Sequence, residues 1–483
     1  MILRSGLAIH RFVLAWAIVL STGLACGTAA PRVEAPAFSP PSNDPEGIRS
    51  LPGYRSDMVT AANFSGQAYV MEAGPADGPA VVLVHGLGES GSRDFYPILP
   101  ALAARYHVIT FDLPGFGRST HGHDLYSPEG YAQFIHALVG QRVHGAFNLV
   151  GHSMGGAISL FYAGRFPADV KRLVLIDAAG ILHRKAYVNF AVSAGLDNLL
   201  GILAGAGKDL ANLAMDATAQ AASPLLPVSP DPSFVLHNGL LRATILDSSL
   251  RIAALATILK DFGPTIAKVE SPTWILWGRH DAIASPRSGL VLKARLPYAQ
   301  LKVLEGSGHD PMSSEPAAVV DYLLQALATA EKPPFVRAPM APLVLPERKG
   351  SCDGQSGVKL TGDYSEIEIT GCWDVTLKDV HARALHIRNS QVIVENTRIV
   401  SQAVALEVKG SRVEITASQL SGQVAVDVDN ADLDLAGVDL QGERASVHVA
   451  STSRLIFSVS HVDSPIQRRY IHDLFEPSAG DDL

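Results

Sequence analysis

The hexapeptide Gly151-His152-Ser153-Met154-Gly155-Gly156 sets a serine among glycines. It follows the apolar run Phe147 to Val150 and opens the helical pattern Met154 to Phe166. Strand, tight turn and helix in that order present a serine hydroxyl on a strained bend. The helix N-terminus beneath it favours negative charge. Such a nucleophile needs a base, the base needs an orienting acid, and the developing oxyanion needs donors. His309, in Gly306-Ser307-Gly308-His309-Asp310-Pro311 after the strand pattern Leu301 to Leu304, is the candidate base. Asp281, in Trp277-Gly278-Arg279-His280-Asp281 after Thr273 to Trp277, is the candidate acid, and Asp177 after Leu173 to Ile176 is the alternative. The backbone N–H groups of Leu87 and Met154 are the candidate oxyanion donors, and His85, Gly86 and His152 are expected to line the substrate. His121, His123 and His144 lack ligand spacing with cysteines or carboxylates, so neither a metal nor a cofactor is expected.

These loops need strands to hold them. Ala80 to Val84, Tyr106 to Phe111, Phe147 to Val150, Arg172 to Ile176, Thr273 to Trp277 and Leu301 to Leu304 are short apolar runs, with a further strand expected from Ser65 to Val70. Such runs mark strands buried on both faces of a parallel sheet. Helical patterns at Phe95 to Arg105, Tyr131 to Val139 and Met154 to Phe166 alternate with them, which makes an α/β domain. The rhythm breaks between Ile181 and about Val269, where Ala- and Leu-rich stretches such as Asn198 to Ala214 and Arg242 to Leu259 predict a helical cap.

Beyond a helix from Pro316 to Ala330 and a proline-rich linker, the tail changes character. Alternating triplets recur at Ile367 to Ile369, Leu385 to Ile387, Leu406 to Val408, Val426 to Val428 and Val447 to Val449. A second series starts at Val392, Val413, Leu433 and Leu455, and a third marks Val380, Ile399, Leu420, Leu440 and Val462. Three series with a period of about 20 residues predict three strands per coil of a solenoid. Cys352 and Cys372 fall one period apart, as a disulfide between neighbouring coils would require.

The chain of 483 residues carries a net charge of -8 with 47% hydrophobic and 18% charged residues, and no basic run that would suit nucleic acid. Arg4, His10 and Arg11 precede an apolar run from Phe12 to Leu24, the length of an export signal and short for a membrane span. Leu24-Ala25-Cys26-Gly27 resembles a bacterial lipobox, with Cys26 the residue to be lipidated, although Gly23 stands where the pattern has leucine. Cleavage after Ala30 is the alternative. The expected destination is therefore an outer-membrane lipoprotein or a periplasmic or secreted protein. The expected segments are a signal over 1–30, a tether over 31–50, and an α/β domain over 51–330 with its cap over about 181–269. A linker over 331–350, a solenoid over 351–470 and a tail over 471–483 follow.

Taken together, His85-Gly86, Asp112-Leu113-Pro114-Gly115-Phe116-Gly117-Arg118-Ser119, the serine elbow, Trp277 to Asp281 and Gly308-His309 with Pro311-Met312 resemble the α/β-hydrolase superfamily. The likeness is to its cap-bearing esterase, lipase and carbon–carbon-bond hydrolase branch, over about 69–327. Haloalkane dehalogenases and epoxide hydrolases of this fold carry aspartate where this chain has Ser153. The resemblance implies an α/β-hydrolase fold with a helical cap, and the period of the tail predicts a small all-β parallel β-helix after it. It also implies a Ser153–His309–Asp281 esterase acting on hydrophobic esters through an acyl-enzyme. Lactone, amide or carbon–carbon cleavage by the same residues stays open, as does a tail that docks to a cell-surface partner or polymer as the main functional part.

Overall fold

The computed structural model describes residues 47–193, 232–296, 298–328 and 344–483. The expected signal, Cys26, the central part of the expected cap (including Asn198 to Ala214) and most of the expected linker lie outside them.

Eight strands form the first sheet. They are β1 (Arg55–Thr60), β2 (Gln67–Ala73), β3 (Ala80–Val84), β4 (His107–Phe111), β5 (Phe147–His152), β6 (Val170–Ile176), β7 (Thr273–Gly278) and β8 (Ala299–Leu304). Their order is β1-β2-β4-β3-β5-β6-β7-β8. The β1–β2 and β2–β4 pairs are antiparallel, and the pairs from β4 to β8 are parallel. Every residue of β4, β5 and β7 is buried, as helices on both faces of a sheet require. Among those helices, α1 (Pro128–Val139) starts at Ser127, whose side chain accepts the Gly130 N–H. It buries Tyr131, Phe134, Ile135 and Leu138, one stripe at helical spacing. Helix α2 (Met154–Arg165) follows β5 directly.

Two expectations are corrected here. Phe95 to Arg105 is not one helix but a 3-10 turn over Gly91–Phe95 and a short helix over Leu99–Ala103. Pro97 and Pro100 remove amide donors within it. Arg242 to Leu259 is likewise divided: Asp247 turns left-handed at φ 47°, and Ser248 then caps a new helix over Ser249–Ile258. The described parts of the expected cap are helical: α3 (Arg184–Ser193), Pro232–His237 and α4 (Ser249–Ile258). Helix α5 (Arg287–Arg295) connects β7 to β8, and α6 (Pro316–Ala328) closes the domain.

The C-terminal region is a solenoid-like stack of parallel strands. In the first row Ile367 faces Leu385, then Leu406, Val426 and Val447 on successive coils. In the second row Val392 faces Val413, Leu433 and Leu455. In the third, Ile399 faces Leu420, Leu440 and Val462. Val380 is out of line: Ala382, two residues on, faces Ile399. The inward members are buried in one continuous core. At the corners, hydroxyls tie coil to coil. Ser411 accepts the Ser390 N–H at 3.0 Å and donates to the Lys409 carbonyl at 2.7 Å. Ser418 repeats the arrangement with Thr397 and Thr416 at another corner.

The stack and the α/β domain share a core. Ala436, Ile456 and Val459 of the stack belong to the cluster that also contains Val291, Leu292 and Ile275. Gly437 lies so close to α5 that a Cβ there would stand 3.1 Å from Val291 Cα, and its φ is +63°.

Cys352 and Cys372 form a disulfide 20 residues apart in sequence, joining the first coils. Closing a loop of that size restricts the unfolded chain by about 3 kcal/mol. Cys352→Ser with Cys372→Ser is expected to lower unfolding stability by about that amount in denaturant titrations. An unchanged midpoint would show that the bond contributes nothing.

Candidate active site

The end of β5 turns into α2 through Ser153, whose backbone sits at φ 52° and ψ -120°. This left-handed φ is costly for a non-glycine residue and persists only where the surroundings enforce it. They do so here by close packing. A Cβ on Gly155 would stand 2.1 Å from the Val84 carbonyl oxygen, so only glycine lets α2 start against the end of β3. Likewise a Cβ on Gly86 would meet the Ser153 Cβ at 3.1 Å, which sets the His85-Gly86-Leu87 loop beside the serine. Leu87 follows directly in that loop, and Met154 is the first residue of α2.

Three strand ends deliver the polar groups. From β8, His309 accepts the Ser153 hydroxyl at Nε2, Oγ to Nε2 being 2.8 Å. Its Nδ1 lies 2.8 Å from Asp281 Oδ2, in the loop after β7. The other carboxylate oxygen of Asp281 accepts the N–H groups of Ile283 and Ala284, both at 2.8 Å. Ser153 is 6% exposed and Asp281 3%, so the line of bonds is largely screened from water. Gly278 permits the meeting of the two loops, since a Cβ there would fall 2.0 Å from the Gly308 carbonyl oxygen.

Asp177, the alternative acid, is fully buried and accepts the Gly278 N–H at 2.8 Å. Burial, with the Asp281 charge beside it, holds its carboxyl well above the usual carboxylate range. It supports the β7 end, while Asp281 is the carboxylate bonded to His309.

The side chain of His85 does not face a substrate. It is fully buried, its Nε2 accepts the Leu113 N–H at 2.8 Å, and its Nδ1 lies 2.7 Å from the Gly86 carbonyl oxygen. Both ring nitrogens are spent holding backbone. His152, also buried, places Nε2 2.8 Å from the His309 carbonyl oxygen and so pins the base-bearing loop. Its Nδ1 is 3.8 Å from Asp94, too far for a hydrogen bond but close for charge attraction. His152, Asp177 and His309 each bring one ligand-type atom within 4.8 Å of the others. A metal there would have to break bonds that His309 and His152 already make.

Three further contributors carry no local signal in the sequence. Asp94 accepts the Gly86 N–H at 3.3 Å and the Ser90 hydroxyl, fixing the loop that carries Leu87. Tyr187 of α3 is half-buried near Asp281; burial first, then that charge, pushes its phenol up to about 12. Arg287, at the start of α5, reaches into the solenoid-like stack. Its guanidinium donates to Thr416 Oγ1 at 2.5 Å, Asp434 Oδ2 at 2.8 Å, the Asp434 carbonyl at 2.9 Å and the Ile415 carbonyl at 3.0 Å. It lies six residues beyond Asp281, past Ala284, whose carbonyl oxygen accepts from Trp277 Nε1 at 3.0 Å. On α3's side, the His183 N–H donates to Ser458 Oγ at 2.8 Å. The stack thus holds both the segment that follows Asp281 and the segment that leads into α3.

A parallel sheet whose strand ends bring a serine elbow, a histidine and a buried carboxylate together is the frame of an α/β-hydrolase enzyme. A profile described as "Alpha/beta hydrolase family" matches residues 81–322, and the chain belongs to that family. An uncharacterized protein of Mycobacterium tuberculosis is 28% identical over 281 residues, covering 55% of this chain and 80% of that protein. Lipase 1 of Psychrobacter immobilis is 29% identical over 256 residues, 53% of this chain and 78% of the lipase. Among solved structures, an esterase from Exiguobacterium antarcticum aligns with a TM-score of 0.41 at 19% identity, covering 56% of this chain and 99% of that one. The chain is lipase- and esterase-like.

The Asp94–His152 pair gives stability a pH window. Burial pushes Asp94 up, but the His152 charge and further donors outweigh it and hold the carboxyl at about 2, below its ordinary 3.8. Burial pushes His152 down, and Asp94 outweighs this to raise it above 6.5. A depressed acid contributes stability above its unfolded pKa and loses it as pH falls toward about 2. A raised histidine contributes below 6.5 and loses it as pH rises through its folded value. Asp94→Asn is therefore expected to cost about 2 kcal/mol between about pH 4 and 6.5, with the gap closing on both sides. Melting temperatures of both proteins across pH 2 to 9 check this; a gap independent of pH would contradict it.

Proposed function

We propose that this chain hydrolyses carboxylic esters with a hydrophobic acyl or alcohol group, through an acyl-enzyme on Ser153. The observation that carries the reading is the unbroken line Ser153 Oγ to His309 Nε2 and His309 Nδ1 to Asp281 Oδ2, 2.8 Å at each step. His309 takes the serine proton as Oγ bonds to the ester carbonyl carbon, and Asp281 holds the tautomer and steadies the imidazolium. The N–H groups of Leu87 and Met154 receive the oxyanion. The carbonyl re-forms, the alkoxide leaves with the proton from His309, and water deacylates Ser153 through the same base. The hydrophobic preference rests on the apolar composition of the expected cap and on the relatives named as lipases.

We further propose export, with Cys26 lipidated or the signal cleaved after Ala30. The run Phe12 to Leu24 supports this. So does the Cys352–Cys372 pair, a bond that an oxidising compartment preserves.

With a series of p-nitrophenyl esters of increasing chain length, Ser153→Ala and His309→Ala are expected to lose about 10⁴-fold or more in kcat while remaining folded. Comparable turnover in Ser153→Ala would reject the acyl-enzyme. Arg287→Ala, which frees the acid-bearing segment from its anchor, is expected to lower kcat by about 10- to 100-fold with KM little changed, and Arg287→Lys to restore part of it. An unchanged kcat in folded Arg287→Ala would make that anchor irrelevant to turnover.

A further inference from the structure

The solenoid-like stack carries a groove that ester hydrolysis does not use, and we propose that it binds an extended, uncharged polysaccharide chain lying along the stacking direction. The groove, about 860 Å³, follows one corner across successive coils. Here the backbone turns left-handed at Asn389 (φ 48°), Gly410 (φ 57°) and Asn430 (φ 51°). One wall is Asn389, Gly410, Asn430 and Thr452. The other is Gln391, Arg412, Asp432 and Arg454, neighbours in direct strand register. Trp373, from the preceding coil, also lines it; the residue is 60% exposed, the only exposed tryptophan among the described residues.

The chemistry of the lining selects the occupant. A peptide strand would need free backbone groups, yet the Asn389 N–H bonds Lys409 O and the Gly410 N–H bonds Asp429 O on the next coil, each at 2.9 Å. The floor serines are engaged too, Ser390 and Ser411 bonding between coils. Recognition falls to the side chains. Arg412 and Arg454 are countered by Asp432, paired with Arg454 at 2.7 Å, and by Glu476. That balance leaves no net positive field for a nucleic acid or an anionic lipid surface. Trp373 is the one large apolar side chain in the lining, too little for an acyl chain. Rows of amides, hydroxyls and guanidinium groups beside an aromatic face suit a neutral polyol, whose hydroxyls both donate and accept and whose C–H faces stack on rings. Coils advance by about 4.8 Å, close to one pyranose unit of an extended β-linked chain, so the groove would seat about four units.

The test uses the full chain and calorimetric titration with soluble β-1,4-linked oligomers of glucose, N-acetylglucosamine and xylose, from disaccharide to hexasaccharide. One series is expected to bind with affinity that rises with length and levels off at about four units. Trp373→Ala is expected to weaken it by about tenfold or more, as loss of an aromatic contact at a binding centre does. Gln391→Ala with Asn430→Ala tests the walls and should weaken it as well. p-Nitrophenyl ester turnover should be unchanged in these variants, which separates this groove from the proposed esterase site. Absence of binding by all three series at millimolar concentration, or binding indifferent to Trp373→Ala, would overturn the proposal. Binding of single-stranded DNA or anionic vesicles in place of the oligomers would overturn it also.

Discussion

The arrangement depends on bringing three separate loops to within hydrogen-bonding distance of one imidazole. His309 must meet Ser153 and Asp281 at 2.8 Å each, and every one of these residues follows a different strand. A parallel sheet solves the problem because the C-terminal ends of β5, β7 and β8 all lie along one edge. The remaining distance is closed by residues that lack a side chain or keep theirs buried. Gly155 and Gly278 allow backbone contact that any Cβ would forbid. His85, His152 and Asp177 hold the loops in place from within the protein.

The solenoid-like stack enters the same scheme from outside the sheet. Arg287 makes four hydrogen bonds into it while standing a short loop away from Asp281. Its side chain is only 13% exposed, and Asp434 offers the compensating charge. Arg295 at the other end of α5 is held by Asp439 at 2.7 Å. Bonds at both ends of α5 fix the helix that follows the acid-bearing loop, the kind of support that keeps a reacting side chain in position. With Ala436, Ile456 and Val459 packed into the hydrolase core, the tail is a structural neighbour of the site, not an appended bead on a linker.

Much of this was legible in the sequence, for identifiable reasons. Buried parallel strands write themselves as apolar runs, so β3 through β7 stand out, and the shorter run Leu301 to Leu304 marks β8; the loops after β5, β7 and β8 carry Ser153, Asp281 and His309, which the fold brings together. The coil period is equally plain, because each inward residue recurs opposite its predecessor. What escaped lacks a local signal. β1 has five exposed positions in six and no apolar run, being an edge strand paired on one side. Val380 and Ala382 are both apolar and both buried, so pattern alone could not say which faces Ile399. The His85 side chain is held by Leu113, 28 residues away, and Arg287 by Asp434, 147 residues away. Pairings over such separations exist only once the chain is folded.

The central claim is that His309 activates Ser153 for attack. The most direct measurement is reaction of the folded full-length chain with a fluorophosphonate, the modified residue being located by peptide mass spectrometry. A single phosphonyl adduct on Ser153 is expected, with labelling abolished in His309→Ala. An unlabelled wild-type chain that is shown to be folded, or an adduct at another residue, would contradict it.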